Sequence, residues 1–111
     1  MERVNEFAKS FPKGDSGVKY LFRGPHIDWG ILVLKPNDSL GKHGHKEVEE
    51  TFYFPDSAPL MVINDVQYRV KAGDAFRIEP TESHNIVNDT GSPIRVIFIK
   101  HIYRPENKVT Y

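Results

Sequence analysis

The chain has 111 residues, 15 Lys and Arg against 15 Asp and Glu, a formal net charge of zero and no cysteine. This length predicts one domain with one modest core. A zero net charge supplies no overall field for nucleic acid or an anionic membrane, and the lack of cysteine excludes disulfides, thiolate metal ligands and a cysteine nucleophile. Because the first residues lack the apolar core of a signal peptide and no apolar run is long enough to span a bilayer, we expect a cytoplasmic protein.

The composition indicates a fold class. Valine, isoleucine and aromatic residues outnumber alanine and leucine, and 8 glycines and 8 prolines interrupt short apolar runs. Branched and aromatic side chains fit a pleated, half-buried surface, whereas alanine and leucine favour helices. Turn signals recur about every 8–12 residues, which favours a sandwich or barrel over βαβ units. The sequence therefore predicts an all-β domain.

The elements follow in chain order. Residues 1–17 form an N-terminal arm, in which Arg3 to Ser10 are either a short strand or one helical turn. Strands are predicted at 18–23, 27–34, 50–55, 59–63, 66–71, 75–79, 84–88 and 94–103. Asn64 and Asp65 predict a two-residue hairpin, because both residues tolerate positive φ. The domain spans 18–103, and residues 104–111 form a tail. We expect its polar residues 104–108 to be loosely held unless a partner subunit orders them.

The predicted strand 94–103 is apolar on both faces. Ile94, Val96 and Phe98 share one face, and Ile97 and Ile99 share the other. A strand with one wet face would alternate apolar and polar residues. One face therefore fills the interior of the domain, and the other meets a second layer or another subunit, which predicts a homodimer.

A cluster of histidines is the candidate for chemistry. His43 and His45 flank a glycine, and residues i and i+2 of a strand point to the same face. A carboxylate follows at Glu49 or Glu50, and a strand-turn-strand unit about 35 residues further on ends at His84. Three imidazoles and one carboxylate suit a divalent transition metal, here one per chain, with Mn, Fe, Co, Ni, Cu and Zn all open. The other two histidines, His26 and His101, belong to no motif.

Alternation chooses between the two carboxylates. If Glu50 faces the interior, Phe52 and Phe54 face it too; if Glu49 does, both phenylalanines turn outward. Burying a phenylalanine contributes about 1.5–3 kcal/mol. We therefore predict that Glu50 is the ligand, with Glu49 as the alternative.

These residues resemble the two motifs of the cupin family over residues 27–103. His43, His45 and Glu50 fit the first motif, Gly-x5-His-x-His-x3,4-Glu-x6-Gly. Gly73, His84 and Asn88 fit the second, Gly-x5-Pro-x-Gly-x2-His-x3-Asn. The resemblance implies a double-stranded β-helix, or jelly-roll barrel, and a metal held by His43, His45, Glu50 and His84. Small cupins are usually dimeric, which agrees with the homodimer predicted above.

The chain departs from these motifs only at turn positions. Asn37 stands where the first motif begins with glycine, and Asp56-Ser57-Ala58 replaces its closing glycine. In the second motif the proline is displaced to Pro80, and Thr81 stands where glycine is expected. These turns must therefore form without glycine, but every metal ligand of the family is kept.

The resemblance implies dioxygenase, decarboxylase, isomerase or lyase chemistry on a small organic carbonyl compound or acid. Four protein ligands leave about two positions on an octahedral ion for water or substrate, and an open position is typical of catalytic rather than structural sites. The alternative is a non-catalytic module that binds a metal or a small, sugar-like ligand. Either function predicts a small-molecule partner in an apolar pocket. The expected walls of that pocket are Ile31, Val33, Phe52, Phe54, Met61, Ile63, Phe76, Ile78, Ile86 and Phe98.

Overall fold

Strands account for almost all of the regular structure. The computed structural model describes residues 1–103 and the backbone of Lys108–Thr110. The strands in this part of the chain are Gly17–Arg23 (β1), Ile27–Leu34 (β2), His43–His45 (β3), Glu49–Tyr53 (β4), Leu60–Ile63 (β5), Val66–Arg69 (β6), Ala75–Ile78 (β7), His84–Val87 (β8), Ile94–His101 (β9) and Lys108–Thr110 (β10). The described helical structure is a three-residue 3-10 turn at Glu6–Ala8, far too short to cross a membrane. The prediction of a single all-β domain is confirmed.

The strands form two antiparallel sheets of five strands each. The first has the order β1-β2-β9-β4-β7 and the second β10-β3-β8-β5-β6. Their inner faces enclose one apolar core, made of Leu32, Leu34, Phe52, Phe54, Met61, Val70, Ile78, Ile86, Ile94, Val96 and Phe98. The core joins side chains from both sheets, so burial of apolar surface holds the two sheets together.

The predicted hairpin at Asn64 and Asp65 connects β5 to β6. Ile63 pairs with Val66 across it, and the two turn residues have φ angles of 49° and 66°. Positive φ at both central residues gives a turn whose twist matches that of the flanking strands. This prediction is confirmed.

The sequence did not predict β3 or β10. Each has three residues, and the two pair antiparallel, with Lys108 opposite His45 and Thr110 opposite His43. Histidine, glycine and lysine give no strand signal, because these strands form through backbone pairing rather than through an apolar face. The expectation of a loosely held tail is therefore wrong for Lys108, whereas residues 104–107 and Tyr111 lie outside the described residues.

The N-terminal arm crosses the outer face of the first sheet. Of the two alternatives for Arg3 to Ser10, the helical turn forms at Glu6–Ala8. The Glu6 carboxylate accepts two hydrogen bonds from Arg95, at 2.6 and 3.1 Å, and the Glu6 carbonyl accepts one from the Lys19 ammonium at 2.8 Å. Lys19 also lies 4.2 Å from the centre of the Phe11 ring. These contacts place the arm as a partial second layer over β1, β2 and β9.

One glycine is required by close packing between β1 and β2. A Cβ added at Gly30 would overlap the Lys19 carbonyl oxygen and lie 2.8 Å from the Tyr20 Cα. We expect Gly30→Ala to lower the free energy of unfolding by about 3 kcal/mol or more, because backbone cannot move aside as a flexible side chain can. Urea denaturation measures the effect. Gly91→Ala is the control, since a Cβ there meets nothing within 4 Å; equal stability of the two variants would contradict the prediction.

Candidate metal centre

Three short strands bring the candidate ligands together. His43 and His45 project from β3, and His84 projects from β8, where it lies directly opposite His43. Glu50 comes from β4 in the other sheet. All four side chains are buried, with exposed fractions of 6% or less. The cluster therefore lies inside the domain, between the two sheets.

The donor atoms of these four residues are close enough to share one ion. One ligand atom from each lies within 4.8 Å of every other. Glu50 Oε1 is 3.2 Å from His45 Nε2 and 3.1 Å from His84 Nε2. Donors on opposite sides of an ion with bonds of about 2.0–2.2 Å are roughly 4.4 Å apart. Small adjustments of the side chains would therefore suffice for coordination.

Backbone carbonyls orient two of the imidazole rings. His43 Nδ1 lies 2.8 Å from the Gly41 carbonyl, and His84 Nδ1 lies 3.4 Å from the Glu82 carbonyl. A ring that donates its Nδ1 proton to a carbonyl presents an unprotonated Nε2, which is the form that binds a metal. His45 Nε2 and His84 Nε2 both face Glu50 Oε1. An ion bound among these three atoms would take the place of their mutual contacts.

The environment of Glu50 favours the charged carboxylate. Burial alone would raise its pKa, but the hydrogen bonds from His45 and His84 and the positive charge of Lys100 outweigh burial and lower the pKa from 4.5 to about 2. The carboxylate is therefore ionised throughout the physiological pH range. An anionic oxygen beside three imidazoles is a donor set typical of divalent transition metals, and the residues fit such an ion.

The structure separates the two candidate carboxylates. Glu50 is 3% exposed, and Phe52 and Phe54 share its inward face. Glu49 points outward, where its carboxylate lies 3.3 Å from Arg77 Nε. The alternation argument for Glu50 thus agrees with the direction of each side chain, and Glu49 does not join the cluster.

A cavity of about 250 Å³ opens beside the cluster. Its walls combine His43, His45 and Glu50 with Val18, Tyr20, Leu32, Leu40, Phe52, Phe98 and Lys100. The cavity is smaller than the roughly 300–1,000 Å³ of sites for drug-sized ligands. A ligand that reaches the cluster through it must therefore be small.

The expected pocket residues divide into three groups. Phe52 and Phe98 line the cavity. Phe54, Met61, Ile78 and Ile86 belong to the apolar core, and Ile63 and Phe76 pack against it. Ile31 and Val33 were expected to face inward, but Leu32 and Leu34 take that place. Because β2 is apolar on both faces, its sequence does not indicate which face is inner, and the N-terminal arm supplies a second layer on the outer side.

Besides His43, His45 and Glu50, the cavity wall has two further polar residues, Tyr20 and Lys100, which sequence reasoning missed. Lys100 Nζ donates a hydrogen bond to Tyr20 Oη at 2.9 Å. In the strand register, Lys100 of β9 lies opposite Glu50 of β4. A signal for Lys100 was present, since it continues the alternation of Val96 and Phe98, which face inward. The aliphatic stem of a lysine lies along apolar surface while its ammonium reaches a polar site.

Asn88, the last residue of the second motif, has a structural role. Its Nδ2 donates to the Leu34 and Ser92 carbonyls, each at 2.9 Å, and its Oδ1 accepts from Thr90 N at 3.0 Å and from the Thr90 hydroxyl at 2.6 Å. The side chain is fully buried. It therefore satisfies backbone groups of the turn before β9 and lies apart from the histidine cluster.

The chain is similar to known proteins in sequence and in fold. Residues 30–100 match the model of a family described as the cupin domain. A curated relative, an uncharacterized protein of Methanocaldococcus jannaschii, is 31% identical over 55 residues, which cover 50% of this chain and 44% of that protein. The match thus spans less than half of the length of this relative.

Solved structures agree on the fold. A conserved protein with a double-stranded β-helix domain from Klebsiella pneumoniae superposes with a TM-score of 0.83 at 14% identity and covers 98% of this chain and 96% of its own. A sugar phosphate isomerase of the cupin superfamily from Silicibacter pomeroyi gives a TM-score of 0.65 at 19% identity, over 69% of this chain and 51% of that protein. At these identities the likeness extends to the fold alone.

Proposed function

The chain belongs to the cupin domain family, and we propose that it is a metal-dependent enzyme that acts on a small organic carbonyl compound or acid. The observation that carries the proposal is the buried cluster of three histidines and one carboxylate at the wall of a cavity. A structural metal site is usually closed to ligands, whereas a catalytic one keeps access for substrate. Here the cavity reaches the cluster directly.

The residues of the chain prepare the site for this chemistry. His43, His45, Glu50 and His84 would hold a divalent ion, which supplies Lewis-acid polarisation of a substrate oxygen and activation of bound water. The carbonyls of Gly41 and Glu82 orient two of the rings. The apolar walls limit the water around a substrate, which strengthens electrostatic interactions inside the cavity.

The cavity favours some substrates over others. One of the structurally similar proteins is a sugar phosphate isomerase. A sugar, however, carries several hydroxyl groups that each need a hydrogen-bond partner when buried. Val18, Leu32, Leu40, Phe52 and Phe98 offer no such partners. A substrate with an apolar body therefore fits these walls better than a sugar.

Two measurements test the function. We expect the purified protein to contain about one divalent ion per chain by elemental analysis, and the Mn(II)- or Fe(II)-loaded protein to turn over a member of a panel of carbonyl compounds, oxo acids and catechols. Stoichiometric metal and an ordered organic ligand without any turnover would favour the alternative, a non-catalytic binding module. Metal content far below one per chain after loading would contradict the metal-dependent enzyme and leave only a module that binds a small ligand without metal.

We also propose that the protein is a homodimer. Ile99 and Tyr53 lie on the outer face of the first sheet with exposed fractions of 41% and 43%, beyond the part that the N-terminal arm covers. Sedimentation is expected to give twice the 12.8 kDa mass of one chain, and Ile99→Asp to dissociate the dimer, because a charge in an apolar contact loses its hydration. Val66→Asp, at an exposed site in the other sheet, is the control. A wild-type particle of one chain at micromolar concentration would overturn the proposal.

A further inference from the structure

We infer that Lys100 and Tyr20 bind the anionic group of the ligand, and that the ligand is a small carboxylate with an apolar body. This inference rests on the proposed function, because it names the class of molecule that the same cavity would take. It adds two residues that lie outside the two metal-binding motifs.

The two side chains form a built polar pair on the cavity wall. Lys100 Nζ donates to Tyr20 Oη at 2.9 Å and lies 5.3 Å from the centre of the Tyr20 ring and 5.5 Å from that of Phe98. The Tyr20 and Phe98 rings pack edge to face, with centres 5.4 Å apart. The guanidinium carbon of Arg23 lies 4.2 Å from the centre of the Tyr20 ring. Aromatic packing thus holds both polar groups in place.

Lys100 makes no direct ion pair with a carboxylate of the described residues, and its charge acts on the Glu50 carboxylate only at longer range. Among the ion pairs of residues 1–103 none includes Lys100, although Glu50 lies opposite it in the strand register. Glu50 directs its Oε1 toward His45 and His84 instead. A divalent ion held by three neutral imidazoles and one carboxylate would keep one positive charge, and Lys100 adds a second. The metal-loaded cavity is therefore electropositive and favours an anion.

The rest of the cavity defines the remainder of the ligand. Lys100, Tyr20 and residues of the histidine cluster line the same cavity, so a ligand can place an anionic group on the first two and a second oxygen toward the cluster. The other walls are aliphatic and aromatic. A carboxylate needs fewer donors than a phosphate, and one ammonium with one phenol hydroxyl can satisfy it.

Calorimetric titration of metal-loaded protein tests this inference. Butanoate and benzoate are compared with the matched neutral molecules butanamide and benzamide, and with inorganic phosphate. We expect the carboxylates to bind more tightly than the amides. Lys100→Met should weaken carboxylate binding by roughly 10- to 100-fold, because it removes a charge and a hydrogen bond together. Tyr20→Phe should weaken it by about fivefold, because it removes only the hydrogen bond of a neutral hydroxyl. The amides should be unaffected, and metal content should stay at one per chain in both variants.

Matched variants separate charge from folding. Lys100→Arg keeps the charge and should retain most of the affinity, whereas Lys71→Met removes an exposed lysine outside the cavity and should change nothing. Metal-loaded protein that binds no probe, or binds carboxylates and amides alike, overturns the anion site but leaves the metal centre standing. Binding of phosphate in preference to carboxylate overturns the ligand class. A protein that takes up no metal overturns the proposed function as well.

Discussion

His84→Ala is expected to reduce the affinity for a divalent ion by more than about 100-fold, so that the dialysed variant retains little metal. His84 is the candidate ligand that β8 adds to the two histidines of β3, and its Nε2 lies 3.1 Å from Glu50 Oε1. Even residues that only orient a ligand typically contribute 10- to 100-fold in affinity, and loss of a ligand itself should cost more. Elemental analysis and metal titration measure the effect, and any turnover should disappear with the metal.

Two further variants exclude indirect causes. The ring of His84 is buried and packs 5.6 Å from the centre of Phe52, so alanine also leaves a void. His84→Gln fills most of that void without an imidazole nitrogen and should lose metal in the same way. His26→Ala removes an exposed histidine and should bind like the wild type. Stoichiometric, tightly held metal in His84→Gln would show that the ion does not sit on this cluster.

Strand periodicity predicts the shared face of His43, His45 and Glu50, whereas the resemblance to the second cupin motif is what joined His84 to them. Residues 43 and 45 share a face in any strand, and the apolar residues at 52 and 54 indicate which carboxylate faces inward. The turns at the positions of the missing motif glycines form without glycine, as expected from the sequence. Asn37 and Thr81 adopt φ angles of 71° and 73°, so the chain keeps left-handed turns without glycine. At Thr81 this conformation is unfavourable for a branched side chain, and its N–H donates to the His45 carbonyl at 2.6 Å.

The cavity wall could not be predicted because it depends on contacts between distant segments. The strand β2 is apolar on both faces, and the N-terminal arm, held by the Glu6–Arg95 ion pair, lies on the outer side of the sheet. A sequence pattern cannot indicate that Ile31 is buried on this outer side rather than in the cavity. Lys100 was missed for a related reason: a lysine near a strand end normally marks a solvent-exposed position.

Stability at acid pH is the second large effect that we expect, and it concerns Glu50 in metal-free protein. In the folded protein the pKa of Glu50 is lowered to about 2, against 4.5 for a glutamate in an unfolded chain. A lowered pKa stabilises the fold fully above about pH 4.5, and this contribution is lost as the pH falls toward 2. At 1.36 kcal/mol per pKa unit the total is about 3 kcal/mol. Roughly 2 kcal/mol of it should be lost by pH 3.

Urea denaturation of chelator-treated protein between pH 3 and pH 6 measures this loss. Because other groups also titrate, the informative quantity is the difference in free energy of unfolding between wild type and Glu50→Gln, which keeps the shape of the side chain but does not ionise. This difference should shrink by about 2 kcal/mol on going from pH 6 to pH 3. Val66→Ala changes an exposed side chain that does not titrate, so its difference from wild type should stay nearly constant. A difference for Glu50→Gln that does not change with pH would mean that His45 and His84 do not stabilise the ionised carboxylate.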